Sequence, residues 1–380
     1  MVRQKGVERL LLSWLLLGVV SAAGCSGDVS LGHAEWTDSF LQSASLSVDV
    51  LFVVDNSLSM QGPGQEHERV VEAFEDFVAN LSENKSNFHI GITTTDLDQD
   101  LDNGGTKGRL KEFSETQRQE ACAAEPDAES RDACLSELEP YVGHRYITSD
   151  MPPSVYQAIF QEMVYNLGEG SGWEKGLWAA KLALYPQSEG GNGDTWNAGF
   201  MRDDAKLAII FISDEDDCSD EGNPLEGEEQ AECYTHADQL RPVFEYVADY
   251  QALKIHDDDI ILSAIVGPQG ESNDTECGAN TSAGTRYINA VQAFDGVVGN
   301  ICETNFSGIL GEMGLSAAGI RTHFVLSRIP DPETIRVSVN GRDMPASEGW
   351  AYDAVSNAVD FFGDGIPPRD STIVISYRLG

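Results

Sequence analysis

The sequence predicts an α/β fold, with a mostly parallel sheet covered by helices on both faces and a small β-rich appendage at the C-terminal end. Three observations predict it. Short runs that are apolar throughout, such as residues 50–54 and 208–212, or nearly so, as at 260–266, read as strands buried on both sides. Stretches with helical spacing separate these runs, which is the βαβ pattern of a parallel sheet. After Pro330 the pattern changes to alternation, at 334–339 and 373–377, and the first of these ends in Asn340-Gly341, a tight-turn pair.

Taken in order, residues 48–54 form the first strand. Val70, Val71, Phe74, Phe77, Val78 and Leu81 then mark the buried face of a helix. Asn87–Thr94 is the second strand, through Phe88, Ile90 and Ile92. Residues 96–150 read as a long irregular stretch in which Asp96, Asp98, Asp100 and Asp102 alternate before Asn103-Gly104-Gly105. The glycine falls one place late for a calcium loop, and Arg109 stands where the closing glutamate belongs, so this is a solvated acidic loop. Residues 146–148 return as a short strand. Helices follow at 154–167 and 173–184, separated by the glycine-rich break at 168–172. The run 208–212 ends in Ser213-Asp214, and an acidic loop at 215–236 leads to a helix at 239–251. Strands at 260–266 and 322–326 complete the sheet. The appendage, 331–380, has Trp350 and Phe361-Phe362 as its core.

With 63 acidic against 24 basic residues in 380, the formal net charge is -39. Such a surface repels nucleic acid and anionic lipid and favours cations and basic partners. Arg3, Lys5 and Arg9 precede an apolar run at 10–20 and small residues up to Cys25, the layout of a secretory signal too short for a secure membrane span. Ala22-Ala23-Gly24-Cys25 resembles a bacterial lipobox, which implies lipidation of Cys25. Ser26 after it is similar to lipoproteins sent on to an outer membrane, periplasmic or surface-facing. Residues 26–46 then read as a tether, and a lipid anchor is the one membrane contact expected.

Six cysteines remain, an even number that suggests three disulfides in an exported protein. Pairing of sequence neighbours gives Cys122–Cys134, Cys218–Cys233 and Cys277–Cys302, one connectivity among several that six cysteines allow. No C-x-x-C pair is present to suggest zinc.

The chemistry lies in 47–60, SVDVLFVVDNSLSM. Asp55, Ser57 and Ser59 alternate just past the first strand and aim three oxygens at one point, the donor type that hard divalent cations take. Asp214 stands past another buried strand, where open α/β sheets present side chains to ligands. Ser171 lies in a glycine-flanked loop that lets a hydroxyl turn inward. Together these residues suit Mg²⁺, Mn²⁺ or Ca²⁺. Glu215, Asp216 and Asp217 add an acidic rim that favours calcium or a second cation.

VVDNSLSM resembles the D-x-S-x-S motif of the von Willebrand factor type A family, whose metal ion-dependent adhesion site it opens. GSGWEKGL resembles the stretch that brings that family's metal-binding threonine, with Ser171 in the threonine's place. AIIFISDEDD is similar to the strand and aspartate that close the site, at Asp214. The order of these pieces, with the cysteines and the lipobox, also resembles secreted lipoproteins of this family in myxobacteria and related bacteria. The resemblance implies a Rossmann-like core over 47–330 with disulfide-bearing insertions, between signal segment 1–25 and tether 26–46 on one side and appendage 331–380 on the other. It implies Ser57, Ser59 and Ser171 as direct ligands, with Asp55 and Asp214 acting mainly through waters.

An adhesion-type role follows, in which a protein or polysaccharide ligand presents a carboxylate that completes the coordination. The alternative is a structural or assembly subunit of a cell-envelope complex with a non-catalytic metal site. A metal-assisted hydrolase is the third reading. His33, His67, His89, His144, His236, His256 and His323 are scattered, no H-E-x-x-H or G-x-S-x-G occurs, and nothing offers Ser57 a base, so the protein is not expected to be an enzyme.

Overall fold

The computed structural model describes residues 35–42, 46–62, 64–99, 105–185, 195–221, 233, 236–269, 281–294 and 296–380. The expected signal segment and the lipidation position Cys25 lie outside these residues, as do Asp100 and Asp102.

Strand β1 is Glu35–Leu41, β2 Ser47–Val54 and β3 Asn87–Thr94. The short strand β4, Ile147–Thr148, is followed by β5 Lys206–Ser213, β6 Ile260–Val266 and β7 Val298–Asn300. The main sheet has the order β4-β3-β2-β5-β6-β7, parallel except for β4 at its edge. The helices in the first half are α1 Glu66–Glu83, α2 Glu115–Ala121, α3 Ala128–Leu138 and α4 Pro153–Tyr165. Then come α5 Gly176–Leu184, α6 Val243–Gln251, α7 Thr285–Val291 and α8 Ser307–Ala317.

The sheet is apolar on both sides because it has two cores. Val50, Phe52 and Val54 of β2 point to one face and pack with residues of α1, α4 and α8. Leu51 and Val53, at the intervening positions, pack with α5, α6 and α7 on the other. Alternation along one strand thus feeds two cores, and the sequence reads as a continuous apolar run. Helix α8 lies close against α1 because Gly314 has no side chain there. A Cβ at that position would sit 2.5 Å from the Phe77 carbonyl oxygen.

Four of the segments read from the sequence differ in the structure, and α7, β7 and α8 are elements that the sequence reading does not contain. Residues 26–46 are not all tether: Glu35–Leu41 pairs antiparallel with the last strand, Thr372–Arg378. The strand at 322–326 does not join the main sheet. His323–Val325 pairs with Ala358–Phe361, which pairs with Trp350–Asp353, in a separate three-stranded sheet. A short apolar run shows burial but not its partner. The appendage core contains Trp350 and Phe361 but not Phe362, which is 54% exposed: it follows the strand's last residue in extended backbone, where successive side chains face opposite sides. Finally, 96–150 is not all irregular, since it holds α2 and α3. A capping box opens α2, in which Ser114 Oγ accepts from Gln117 N–H while the Gln117 side chain accepts from Ser114 N–H.

The turn at Asn340-Gly341 is as read. Both residues have positive φ, 53° and 78°, and they join Arg336–Val339 to Arg342–Met344 as a hairpin.

Two expected disulfides are present, Cys122–Cys134 and Cys218–Cys233. Cys302 is disulfide-bonded, and its expected partner Cys277 lies outside the described residues. The first disulfide joins the end of α2 to α3, a helix with only Leu138 buried. Little apolar packing holds that insertion. Replacing Cys122 and Cys134 together by serine is therefore expected to lower stability by about 3 kcal/mol, read as faster limited proteolysis between the two helices.

Candidate metal centre

Asp55 and Asp214 lie at the C-terminal crest of neighbouring parallel strands. β2 and β5 are in register through Val54 and Ile212, and Asp55 N–H donates to Ile212 O at 2.9 Å. The D-x-S-x-S segment folds back over this crest in an Asx-type turn, with Ser57 N–H donating to Asp55 Oδ1 at 2.8 Å. Ser57 Oγ and Ser59 Oγ are 2.9 Å apart, and Ser59 Oγ donates to Asp214 Oδ1 at 3.3 Å. Ser213 Oγ fixes Asp55 from below through Oδ2 at 2.6 Å, and His67 Nε2 donates to the Asp55 carbonyl oxygen at 2.7 Å. Four of the five expected residues thus come together: Asp55, Ser57, Ser59 and Asp214.

Loop 168–175 crosses the same crest. Gly170 N–H donates to Asn56 O at 2.8 Å, and Lys175 N–H donates to Thr95 O at 3.0 Å. Ser171 uses its groups within and beside this loop. Its N–H donates to Asp96 Oδ2 at 3.1 Å, and its Oγ accepts from Trp173 N–H at 3.3 Å. Three residues on, Glu174 was not expected at the site. Ligand atoms of Asp55, Glu174 and Glu215 all lie within 4.8 Å of one another. Thr95 Oγ1 donates to Glu174 Oε2, whereas Glu174 Oε1 is buried with no hydrogen-bond partner. In the sequence its one mark is a carboxylate in the middle of GSGWEKGL, a loop where no periodicity tells which residue turns inward.

The expected acidic rim divides. Glu215 belongs to the cluster, but Asp216 and Asp217 are structural. Asp217 Oδ1 accepts from Leu177 N–H at 2.9 Å and from Ser219 Oγ at 2.6 Å, and its Oδ2 pairs with Arg286 Nε at 3.0 Å. Asp216 Oδ1 accepts from the N–H groups of Arg286 and Asp217. Asp96, expected in a solvated loop, is buried, and its Oδ1 caps the N–H groups of Asp98 and Gln99.

The electrostatics are one-sided. Lys175, next to Glu174, is paired with Asp98 at 2.8 Å and Asp220 at 3.2 Å. Among the described residues no lysine or arginine pairs with Asp55, Glu174 or Asp214. Burial, and then repulsion from Asp55, pushes the Asp214 carboxyl up to about 8. Burial and Asp55 likewise raise Glu174 well above the usual carboxylate range. An oxygen-only donor set with one unpartnered buried carboxylate oxygen, and no basic counter-charge among the described residues, fits a hard divalent cation.

A pH dependence follows for the metal-free protein. Both carboxyls hold their protons more tightly when folded than when unfolded, so the native state binds more protons between the ordinary carboxylate range and about 8. Stability of the metal-free chain is therefore expected to fall as pH rises through this window. Saturating Ca²⁺ is expected to flatten the dependence. Melting temperatures measured from pH 5 to 9, with Ca²⁺ or with EDTA, check this.

No protein-family model matches the sequence, and no curated protein matches it. The fold is distantly similar to solved structures. The pilus adhesin SpaC from Lactobacillus rhamnosus GG, in its open conformation, matches with TM-score 0.38 and 11% identity, over 93% of this chain and 43% of that one. The pilus adhesin RrgA from Streptococcus pneumoniae matches with TM-score 0.30 and 10% identity, over 93% and 60%. Proximal thread matrix protein 1 from the mussel byssus matches with TM-score 0.34 and 9% identity, over 74% and 48%. The chain spans less than half the length of SpaC. The outer-membrane address expected from the sequence is contradicted: the similar pilus adhesins come from bacteria without an outer membrane.

Proposed function

We propose that this chain is a non-catalytic assembly domain of a bacterial cell-envelope complex, built on a von Willebrand type A-like fold and steadied at its crest by one divalent cation, Mg²⁺, Mn²⁺ or Ca²⁺. The observation that carries the reading is that Asp55, Ser57, Ser59 and Asp214 lie side by side at the strand crest, linked from the Ser57 N–H on Asp55 through the two hydroxyls to Asp214, with no lysine or arginine paired to either aspartate among the described residues. The cation ties loops 55–61 and 213–217 together and holds a surface that a partner protein or polysaccharide meets. Export through the N-terminal 25 residues, with lipidation at Cys25, is part of the proposal, and the two disulfides support an oxidising compartment.

The second reading is capture of an external carboxylate by the ion. The half-exposed Ser59 and Glu215 at the rim favour it. The surrounding carboxylates oppose it, since each added negative charge raises the cost of bringing in another.

Co-sedimentation with isolated bacterial cell envelopes, in Ca²⁺ or in EDTA, tests the proposal. Binding that falls in EDTA and in Asp55→Ala is expected. Equal binding in all three conditions contradicts a cation-dependent role.

A further inference from the structure

Resting on the cation reading above, we propose that Glu174 is the ion's ligand from the third loop, in the place the sequence assigns to Ser171, and that it makes the centre a calcium site closed to acidic ligand groups. Two independent observations carry this. Carboxylate oxygens of Asp55, Glu174 and Glu215 already lie within 4.8 Å of one another. Separately, Glu174 is fully buried, yet its Oε1 has no partner. A buried carboxylate oxygen without a donor costs several kcal/mol in general, and the nearest sequence cation, Lys175, is committed to Asp98 and Asp220. An ion at the crest supplies the missing partner.

Ligand count and charge then decide the ion. Mg²⁺ takes near-ideal octahedral geometry, keeps several waters and is held by one or two carboxylates. Ca²⁺ accepts more oxygens, in irregular geometry, and gains affinity with ligand charge. Here Asp55, Glu174, Asp214 and Glu215 stand beside the hydroxyls of Ser57 and Ser59. Their combined charge exceeds that of one divalent ion, so the loaded site stays negative. A ligand carboxylate meets repulsion there, and the coordination position it needs is held by Glu174.

Calorimetric titration of Ca²⁺ and Mg²⁺ into the metal-stripped full chain tests this, beside Glu174→Gln, Ser171→Ala and Asp55→Ala. Wild type is expected to bind Ca²⁺ at least about tenfold tighter than Mg²⁺. Glu174→Gln is expected to lower Ca²⁺ affinity at least about tenfold, and Ser171→Ala to change it less than about twofold. Terbium luminescence lifetimes in H₂O and D₂O add a direct readout: Glu174→Gln is expected to gain about one bound water. Wild-type affinity in Glu174→Gln, a tenfold loss in Ser171→Ala, or Mg²⁺ binding as tightly as Ca²⁺ each overturns the inference while leaving a metal site. No saturable site in wild type, or an unchanged one in Asp55→Ala, overturns the cation reading itself. If Glu174→Gln fails to fold, the wild-type ion preference and Ser171→Ala still decide.

Discussion

Asp55→Ala is expected to lose saturable divalent-cation binding, with affinity falling at least about a hundredfold. Both Asp55 oxygens are held in place, Oδ1 by Ser57 N–H and Oδ2 by Ser213 Oγ, so the carboxylate is oriented before any ion arrives. Its removal takes away a ligand and the turn that aims Ser57. The fold is expected to survive. Lost hydrogen bonds cost about 1–3 kcal/mol, but the metal-free protein is also relieved of the repulsion that Asp55 exerts on Asp214 and Glu174. The variant is thus expected to melt within a few degrees of metal-free wild type, and Ca²⁺ is expected to raise its melting temperature no further. A melting temperature that still climbs with Ca²⁺ places the ion elsewhere.

Phe52→Ala is the substitution expected to harm the fold most. Phe52 is fully buried on the central strand β2, three residues before Asp55. Its ring meets Phe77 of α1 at 5.3 Å and Phe160 of α4 at 5.4 Å, edge to face. Those helices are further joined by Phe74 stacked on Phe160. Truncation opens a cavity where three elements meet, and a loss of about 3–5 kcal/mol is expected. Urea unfolding followed by circular dichroism reads this as a lower midpoint with an unchanged slope. Phe362→Ala, at a residue more than half exposed, is expected to stay within about 0.5 kcal/mol of wild type. Equal losses at the two positions contradict the assigned core.

Much of the main sheet was legible because its strands are short, rich in apolar residues and separated by amphipathic helices. Asn87–Thr94 and Ile260–Val266 have the bounds their sequence suggests. Helix α8 was not legible, since Gly308, Gly311 and Gly314 interrupt its apolar pattern; Gly314 is there for close approach to α1, a tertiary reason that leaves no local trace. Pairing partners were equally hidden, which is why His323–Val325 went to the wrong sheet and β1 read as tether. At the candidate site, Asp55 and Asp214 were readable because a strand end fixes where the next side chain points. Glu174 carries no such mark, because a loop has no such rule, and the resemblance implies a hydroxyl, Ser171, from that loop.

The most direct measurement is anomalous scattering from crystals grown with Mn²⁺. One strong peak within coordination distance of Asp55, Asp214 and Glu174 is expected. Manganese peaks only at exposed surface carboxylates, with none at this crest, contradict the account.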